Sequence, residues 1–414
     1  MTLASLSSGQ DGDSTVTRAA TRLRRRGHLR LTVLVCLSAL CPGLLAPTAV
    51  AVDMRSREWH LDAMQAERIW QLSTGEGVNV AVIDSGVDSS VPELRGQLLP
   101  GMDFTGQGRG VNHDDEGHGT SMALIIAGRR SGDGPRGLAP GSKILPIKSI
   151  DGNWAVNMAK SIRYAADQGA KVINISQAGS VSEGNRAVLQ PAVDYADKKG
   201  SLIFAGTGNN GDQGNAPAYP ASLPGVVGIG AVDKSLKVTK FSTHGPQVAL
   251  AAPGVRIPTR CTTQLRRCIE DGTSDATAIA SASAALIWSA HPNWTNNQVL
   301  RVMLETAGKP EDGKVPSEYL GYGIVRPRKV LLDKQGDPGP ADVNPLIAAR
   351  STAEPSEVPQ PGTAKRTTGT PQKPSRRVED GDSTAWPVIA GIAAAVGAVA
   401  IGGLVIARRR RASQ

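Results

Sequence analysis

Four polar residues, each beside a glycine or at the end of a predicted element, could together carry out nucleophilic catalysis. Asp84 directly follows an apolar run, and His118 stands between two glycines. Asn209 follows Gly208 after another apolar run, and Ser274 opens a run of small residues. A hydroxyl is a weak nucleophile until an imidazole accepts its proton, and a carboxylate that orients the imidazole completes such a triad. These residue types predict acyl transfer, provided that the fold brings them together.

Each of these residues also has an ordinary structural interpretation. Asp84 could be a turn residue after its strand, with Asp88 as the competing carboxylate. Ser274 could be a helix N-cap, and Asn209 and Asn210 are both typical turn residues. We favour the catalytic interpretation because all four residues would otherwise have to mislead at once. We prefer Asp84 to Asp88 because Asp84 immediately follows the strand.

A second histidine, His113, lies among acidic residues shortly before His118. Such a cluster could hold a metal ion, but the segment lacks a fixed-spacing ligand motif such as His-Glu-x-x-His. We therefore predict that His113 is a solvated loop residue. We also predict that the chain uses neither a metal ion nor another cofactor.

The elements that must position these residues alternate between buried strands and amphipathic helices. The predicted strands are 78–83, 143–148, 172–175, 202–205 and 226–232. The predicted helices are 153–168, 187–198 with a start delayed by Pro191, one after Ser274, and one opened by the capping box of Thr295 and Gln298. This alternation favours a parallel sheet covered by helices on both faces, with the active site at the carboxyl ends of the strands.

Composition and charge exclude several other classes of protein. The 414 residues are 40% hydrophobic and 20% charged, which excludes a disordered chain. Most of the formal net charge of +9 lies at the two ends, because residues 1–30 hold six arginines and two aspartates and residues 408–411 are four arginines. This basic excess adjoins two apolar segments rather than forming a face on the folded body. It therefore indicates membrane topology and not a nucleic-acid partner.

The two apolar segments predict an exported protein that is anchored near its C-terminus. A basic stretch, an apolar run and the small residues 49–51 form a signal-peptide pattern. Residues 387–407 carry no charge and are numerous enough for a membrane-spanning helix, with Trp386 at one end and Arg408 at the other. The positive-inside rule places the basic end in the cytoplasm and the large domain outside.

The predicted domain organisation follows from these boundaries. It comprises a signal peptide at 1–51, an N-terminal extension at 52–76, a catalytic domain at 77–335, a Pro/Ser/Thr-rich linker at 336–385, a transmembrane helix at 386–407 and a basic cytoplasmic tail at 408–414. The extension is too short to fold alone, so we expect it to pack along the catalytic domain with Trp59 and Trp70 as anchors. Outside the cell, Cys261 and Cys268 are expected to form a disulfide.

The order Asp84, His118, Ser274 resembles that of the subtilisin-like serine peptidases, the subtilases. The segments that carry the resemblance are 80–86, 118–120, 139–141, 251–254 and 272–274. Within this family the chain is most similar to the mycosins, membrane-anchored subtilases that accompany type VII secretion systems. The marks of that subgroup are Trp59, Trp70, the segment 321–327, the tether and the span.

The resemblance implies a fold and a set of roles. The fold is α/β, a subtilisin-like three-layer arrangement with a mainly parallel central sheet flanked by helices, followed by the C-terminal transmembrane helix. The catalytic triad that it implies is Asp84, His118 and Ser274, with Asn209 as a donor in the oxyanion hole. The substrate-binding residues that it implies are Ser176, Gln177 and Gly179.

Two residues depart from the family pattern. Ser121 stands where a second histidine usually follows His-Gly-Thr, and Asp275 stands where methionine often follows the nucleophile. Asp275 has two interpretations. It could be a favourable acid in the first turn of a helix, or a charge that stabilises the imidazolium form of His118.

Two functions fit these features. The first is a serine endopeptidase, tethered to the cell membrane, that cleaves exported proteins or peptides outside the cell in connection with type VII secretion. The second is a structural subunit that stabilises a secretion complex, with incidental proteolysis. The set of four polar residues favours the first function, whereas the tether and the span fit both. The expected partners are a protein or peptide substrate, the membrane and a type VII secretion complex, with no nucleic acid.

Overall fold

A parallel β-sheet forms the centre of the computed structural model, which describes residues 54–150, 153–260 and 267–353. The described strands are β1 (Asn79–Asp84), β2 (Met102–Asp103), β3 (Lys143–Lys148), β4 (Val172–Ile175), β5 (Gly179–Ser180), β6 (Leu202–Gly206), β7 (Ala218–Tyr219), β8 (Val226–Val232), β9 (Val248–Pro253), β10 (Ile257–Arg260) and β11 (Arg267–Glu270). Seven of them form the sheet, in the order β2-β3-β1-β4-β6-β8-β9, with every neighbouring pair parallel. Strands β5 and β7 form one antiparallel ribbon, and β10 and β11 form another.

Helices cover both faces of this sheet. The described α-helices are α1 (Trp59–Met64), α2 (Ala66–Ile69), α3 (His118–Ala127), α4 (Trp154–Asp167), α5 (Glu183–Lys198), α6 (Thr273–Ala290), α7 (Asn296–Thr306), α8 (Pro327–Leu331) and α9 (Pro345–Ala353), and short 3-10 helices span Met54–Arg57 and Pro92–Leu94. Helices α3, α6 and α7 belong to the core on one face, and α4 and α5 belong to the core on the other. The predicted three-layer α/β fold with a mainly parallel sheet is confirmed.

Strand β1 shows why its sequence suits the middle of this arrangement. Val80 and Val82 belong to the core shared with α3 and α6, whereas Ala81 and Ile83 belong to the core shared with α4 and α5. All four side chains are fully buried. A strand covered on both faces needs apolar residues at every position, so the near-continuous apolar run specifies a central parallel strand.

Helix α5 begins earlier than the sequence predicted. The prediction placed it at 187–198, with Pro191 delaying its start. The structure starts it at Glu183, and Pro191 lies inside the helix. The side chain of Ser182 caps the helix, because its hydroxyl accepts a hydrogen bond from the Asn185 amide at 3.1 Å. A well-formed N-cap satisfies an otherwise unpaired N–H at the start, whereas Pro191 removes only one bond from the helix interior.

The described part of the N-terminal extension packs along the domain through two tryptophans. Trp59 Nε1 donates to the Val255 carbonyl at 3.0 Å. Trp70 Nε1 donates to the Leu138 carbonyl at 2.8 Å. Leu61, which lies between them, is buried in the main core. The extension therefore contributes apolar side chains to the same core as the sheet.

The folded region also continues past residue 335, where the sequence placed the start of the linker. The Arg301 guanidinium on α7 donates to the Pro340 carbonyl at 2.8 Å and to the Val343 carbonyl at 2.7 Å. Leu346 at the start of α9 is buried in the main core. A Pro-rich composition suggested a tether, but these carbonyls find donors on α7, so the segment lies against the domain as far as α9.

Several predicted segments lie outside the described residues. These are the signal peptide at 1–51, the later part of the linker, the transmembrane helix at 386–407 and the tail at 408–414. Within the ranges that the structure describes, none of the helices has both the length and the apolar character needed to span a bilayer. The prediction of a membrane anchor therefore stays a prediction.

Candidate active site

The predicted site residues gather at the carboxyl edge of the central sheet. Asp84 is the last residue of β1, and Asn209 follows β6 in the next turn. His118 is the first residue of α3, and Ser274 is the second residue of α6. Helices α3 and α6 pack against each other on one face of the sheet. Because parallel strands end at the same edge, residues far apart in the chain become neighbours there.

Asp84 and His118 are directly hydrogen-bonded. The distance between Asp84 Oδ1 and His118 Nδ1 is 2.8 Å. Oδ1 also accepts a hydrogen bond from the Ser85 amide at 2.8 Å, whereas the buried Oδ2 has no partner among the described residues. The Asp84 side chain is completely buried and that of His118 is 35% exposed. This geometry fixes the ring orientation and leaves Nε2 available on the exposed side.

A glycine allows α3 to approach β1 this closely. A Cβ placed on Gly119 would lie 2.2 Å from the Gly86 carbonyl oxygen and 2.9 Å from Asp84 Cβ. Both distances are far below van der Waals contact, so any larger residue would push the helix away from the strand. The glycine that follows the histidine in the sequence motif is therefore required for the contact between Asp84 and His118.

Asp114, one of the acidic residues near His113, supports the start of α3 and the loop after β1. Its Oδ1 accepts hydrogen bonds from the Gly117 amide at 2.7 Å and the Ser85 hydroxyl at 2.8 Å. Its Oδ2 accepts from the amide and the hydroxyl of Thr120, at 2.9 and 2.6 Å. Asp114 thus satisfies donors at the start of α3 and links them to the loop after β1. An acid just before a predicted helix start was the available signal.

The surroundings of His118 favour its charged form. The negative charge of Asp84 is the largest cause, and together with the other interactions it raises the pKa of His118 to about 10. Desolvation acts against this shift, while the charges of Glu270 and Asp275 add to it. A histidine must be neutral to accept a proton from a nucleophile, so this environment predicts activity that rises towards alkaline pH.

Ser274 lies at the N-terminus of α6 with its hydroxyl turned towards a neighbouring strand end. Ser274 Oγ donates to the Ser176 carbonyl at 3.4 Å, and Ser176 Oγ donates to the Ser274 carbonyl at 3.3 Å. Among the hydrogen bonds of the described residues, Ser274 Oγ is thus paired with Ser176 and not with His118. The backbone N–H of Ser274 belongs to the first turn, where amides have no partner within the helix.

Asn209 holds its amide in a defined orientation beside Ser274. Its Oδ1 accepts hydrogen bonds from the amide of Thr273 at 2.9 Å and from the Thr273 hydroxyl at 3.0 Å. Because the backbone N–H can only donate, the oxygen faces Thr273 and Nδ2 remains a donor. A Cβ placed on Gly272 would lie 3.5 Å from the Ser274 nitrogen and 3.6 Å from Asn209 Nδ2, so both donors border the same small space, which Asp275 Oδ2 also borders at 3.2 Å.

The neighbouring asparagine is directed elsewhere. The Thr243 hydroxyl donates to Asn210 Oδ1, and the backbone N–H of Asn210 donates to Thr243 Oγ1 at 3.4 Å. Of the two asparagines, Asn209, which the resemblance implied as the donor, is therefore the one that borders Ser274.

The segment expected to bind substrate lies along the same edge. Ser176 contacts Ser274, as described above, and Gly179 pairs with Tyr219 between β5 and β7. The side-chain nitrogen and oxygen of Gln177 are both buried without a partner among the described residues. Gly179 lies against Trp154, whose ring atoms would be only 2.4 Å from a Cβ at that position. The role of these residues in binding stays a prediction.

Two other predicted groups are only partly described. Cys268 lies on β11, but Cys261 lies outside the described residues, so their pairing stays a prediction. His113 is exposed and forms an ion pair with Asp115 at 2.9 Å. No group of three or more His, Cys, Asp or Glu side chains in the described ranges could hold a metal ion.

Ser121 and Asp275, the two departures from the family pattern, both interact with Glu270. Ser121 is fully buried on α3, one turn after His118, and its hydroxyl lies 2.9 Å from Glu270 Oε1. Asp275 is only 2% exposed, and its Oδ1 has no hydrogen-bond partner among the described residues. Burial raises the pKa of Asp275 well above its usual value, and the charge of Glu270 acts in the same direction. Asp275 is therefore not a solvated first-turn acid.

Comparison with known proteins decides the family. The model of the subtilase family, Peptidase S8, matches residues 75–323. The chain belongs to the subtilase family. Thermitase from Thermoactinomyces vulgaris is 37% identical to this subtilase over 281 residues, which cover 67% of this chain and 96% of thermitase. Subtilisin E from Bacillus subtilis is 35% identical over 260 residues, which cover 61% of this chain and 65% of that protein. This subtilase is accordingly a serine-type endopeptidase, a hydrolase.

Solved structures similar to this subtilase include mycosins. MycP1 from Mycobacterium smegmatis aligns with a TM-score of 0.60 and 28% identity, covering 69% of this chain and 86% of that one. The MycP3 protease from the type VII (ESX-3) secretion system aligns with a TM-score of 0.58 and 30% identity, covering 66% of this chain and 87% of that one. These similarities agree with the resemblance to mycosins found in the sequence.

Proposed function

We propose that this subtilase cleaves peptide bonds with a triad of Asp84, His118 and Ser274. The observation that carries the proposal is the hydrogen bond between Asp84 and His118 at the sheet edge where α6 presents Ser274. In this mechanism His118 Nε2 takes the proton of Ser274 Oγ as the oxygen attacks the substrate carbonyl. The same histidine then gives the proton to the leaving amine, while Asp84 stabilises the imidazolium.

Two donors would stabilise the negative charge that develops on the substrate oxygen. The backbone N–H of Ser274 and Nδ2 of Asn209 border one space, and Thr273 holds the Asn209 amide in place. Donors that are fixed before the reaction need no reorganisation when the oxyanion forms, so they favour the transition state over the bound substrate. The dipole of α6 adds to this effect, because its positive end lies at Ser274.

The physiological role extends the proposal beyond the described residues. We propose that the chain is exported, is held in the cell membrane by residues 386–407 with its catalytic domain outside, and processes exported proteins in connection with type VII secretion. The apolar segments of the sequence and the similarity to MycP1 and MycP3 support this role. Protease added to protoplasts should then cut within the linker and release a soluble domain, whereas a protected linker would contradict the topology.

The second candidate is a structural subunit in which catalysis is incidental. The observation that favours it is the hydrogen bond that Ser274 Oγ donates to the Ser176 carbonyl, which engages the proton that an active triad would transfer to His118. An active enzyme must rotate this hydroxyl when substrate binds. A catalytically silent subunit would have no need to do so.

A serine-directed fluorophosphonate separates the two candidates. The proposal predicts that the reagent labels wild-type protein at Ser274 and that Ser274→Ala is folded but unlabelled. Ser289→Ala is the matched control, because Ser289 lies on the same helix and donates to the Glu76 carbonyl at 2.7 Å, away from the site. That variant should be labelled like the wild type. A folded wild-type protein that resists labelling would favour the structural subunit.

A further inference from the structure

Glu270 is a carboxylate beside the proposed triad that has no assigned role. It ends β11, whose residues alternate between more exposed and less exposed positions, and Glu270 itself is partly buried. Its Oε1 lies 2.9 Å from the Ser121 hydroxyl. Residues three apart on a helix have Cβ atoms about 5–6 Å apart on the same face, so this contact brings the carboxylate close to His118.

No arginine or lysine in the described part of the chain forms an ion pair with this carboxylate. None of the ion pairs there involves Glu270, and the neighbouring Arg260 is engaged by both oxygens of Glu93, at 3.0 and 2.9 Å. Buried carboxylates normally find an arginine, a lysine or several N–H donors. Among the described residues, Glu270 has instead the Ser121 hydroxyl at 2.9 Å and the Cys268 sulfur at 3.7 Å, and it remains partly exposed.

Asp275 is a second carboxyl group in this region, but it is only 2% exposed. Its Oδ1 has no hydrogen-bond partner among the described residues, and its burial favours the protonated form. The charges of Glu270 and Asp275 act on each other and on His118, so the three groups share one small region. Of the two carboxyl groups, only Glu270 is exposed enough to meet a substrate side chain.

The chemistry of the proposed mechanism says which part of a substrate would face Glu270. The acyl oxygen must lie at Asn209 and the Ser274 amide, whereas the leaving amine must lie at His118 to receive its proton. Glu270 is on the His118 side of the nucleophile, through its contact with Ser121. It therefore faces the residue that contributes the leaving amine, directly after the scissile bond.

We infer that Glu270 is a specificity-determining residue that selects a lysine or arginine immediately after the scissile bond. This inference rests on the proposed function, because it needs Ser274 and His118 to act as nucleophile and base. A substrate ammonium or guanidinium would supply the cation that the described residues do not. A hydrogen bond between charged groups in a partly desolvated place is strong enough to change the preference about tenfold.

Internally quenched peptides that differ only in this residue test the inference. The set carries lysine, the neutral and similarly long methionine, or glutamate after the scissile bond, and kcat/KM is measured at mildly alkaline pH. The wild type should prefer lysine to methionine and methionine to glutamate. Glu270→Gln should reduce the ratio of lysine to methionine about tenfold, and Glu270→Lys should favour glutamate. Added salt should weaken the wild-type preference.

A matched control separates a direct contact between Glu270 and the substrate from a general electrostatic effect of negative charge near the site. Asp271→Asn removes the same charge from the next residue, which is exposed and whose Oδ1 accepts from the Arg256 amide. Its ratio of lysine to methionine should match that of the wild type. An equal loss of preference in Asp271→Asn, or a preference for a basic residue before the scissile bond that Glu270→Gln relaxes, would overturn the inference.

Labelling keeps this inference distinct from the proposed function. Wild type, Glu270→Gln and Glu270→Lys should all react with fluorophosphonate at Ser274, which shows that each is folded and competent. A labelled wild type that cleaves the three peptides equally well would contradict the role of Glu270 alone. Failure of the wild type to react with the reagent would contradict the proposed function instead.

Discussion

Two regions of this subtilase bury acidic side chains in opposite ways. Where the N-terminal extension docks, Glu58 is fully buried, forms an ion pair with Arg130, and accepts a hydrogen bond from the Arg136 amide at 2.7 Å. Around the nucleophile, Asp275 and Glu270 are at least partly buried and have no arginine or lysine partner in the described ranges. Paired carboxylates hold the structure together, whereas unpaired ones leave their charge to act on His118 and on substrate.

The same contrast appears in the bases of the two regions. His60 in the extension is 1% exposed, and its Nδ1 has no hydrogen-bond partner among the described residues. Burial is the main cause that lowers its pKa to about 3; the charge of Arg55 acts in the same direction and that of Asp62 against it. His118 is hydrogen-bonded to Asp84, whose charge is the main cause that raises its pKa. One histidine is thus kept neutral by its surroundings and the other is held in its charged form. The raised pKa of His118 is typical of a functional site and supports the proposal that the region around Ser274 carries out the reaction.

The largest expected effect comes from the oxyanion donor. Asn209→Ala should lower kcat about 10²–10³-fold, the range known from subtilisin, with little change in KM, because the donor acts mainly on the transition state. Steady-state kinetics on one peptide would measure both constants. Asn210→Ala is the control, since its side chain pairs with Thr243, and it should keep near-normal kcat. Equal losses in the two variants would show that the loop as a whole matters, and not this amide.

The paired region should respond in stability and not in catalysis. Arg130→Met leaves Glu58 buried without its cation and should lower the free energy of unfolding by about 3 kcal/mol. Urea unfolding would measure this loss, while kcat of the folded variant should stay unchanged. The exposed pair of Lys199 and Asp167 gives the control, since Lys199→Met should hardly change the unfolding curve. A fall in kcat for Arg130→Met with unchanged stability would reverse the assignment of the two regions.

His60 should make the protein less stable in acid. Its pKa is about 3 in the folded chain and has the ordinary histidine value of 6.5 in the unfolded chain, so between these values the unfolded chain binds the extra proton. The free energy of unfolding therefore falls as the pH drops through this window, at no more than about 1.4 kcal/mol per pH unit from this group. His60→Leu should flatten that slope in urea titrations. An unaltered slope would mean that His60 becomes protonated without unfolding.

Asp275 should have the opposite effect on the alkaline side. Its raised pKa means that the unfolded chain loses this proton at a lower pH than the folded chain does. Stability should thus fall as the pH rises from about 4 towards the folded pKa, again by at most about 1.4 kcal/mol per pH unit. Asp275→Asn mimics the protonated form and should remove this part of the slope. If the variant instead loses stability equally at every pH, the carboxyl group is held by a partner and not merely buried.

The sequence predicted the central strands, and the residues that meet at the carboxyl edge of the sheet, because local patterns specify them. The apolar run of β1 ends at Asp84, and the glycine after His118 is needed for the contact between the two residues. The start of α5 was predicted too late, because Pro191 was interpreted as a signal near the helix start and the cap at Ser182 was overlooked. The continuation of the folded region past residue 335 was missed because composition does not reveal donors on α7.

The features around the nucleophile that the sequence did not reveal depend on long-range contacts. Ser121 and Glu270 meet across 149 positions of the chain, and no local pattern pairs a serine with a glutamate so far away. The burial of Asp275 likewise depends on how α6 packs against α3 and the central sheet. The supporting role of Asp114 involves donors from two separate loops. Such contacts become visible only when the packing of the elements is known.

The pH dependence of fluorophosphonate labelling is the most direct test of whether His118 acts as the base for Ser274. The rate constant for labelling reports when His118 is neutral and can take the proton of Ser274, without the later steps of turnover. The carboxylates that face His118 are Asp84, Glu270 and Asp275, and all three favour its charged form. We therefore expect the rate to rise with pH through a value clearly above the ordinary histidine pKa of about 6.5. A labelling rate whose rise is centred at or below about pH 6.5, or that does not depend on pH, would contradict the proposed role of His118.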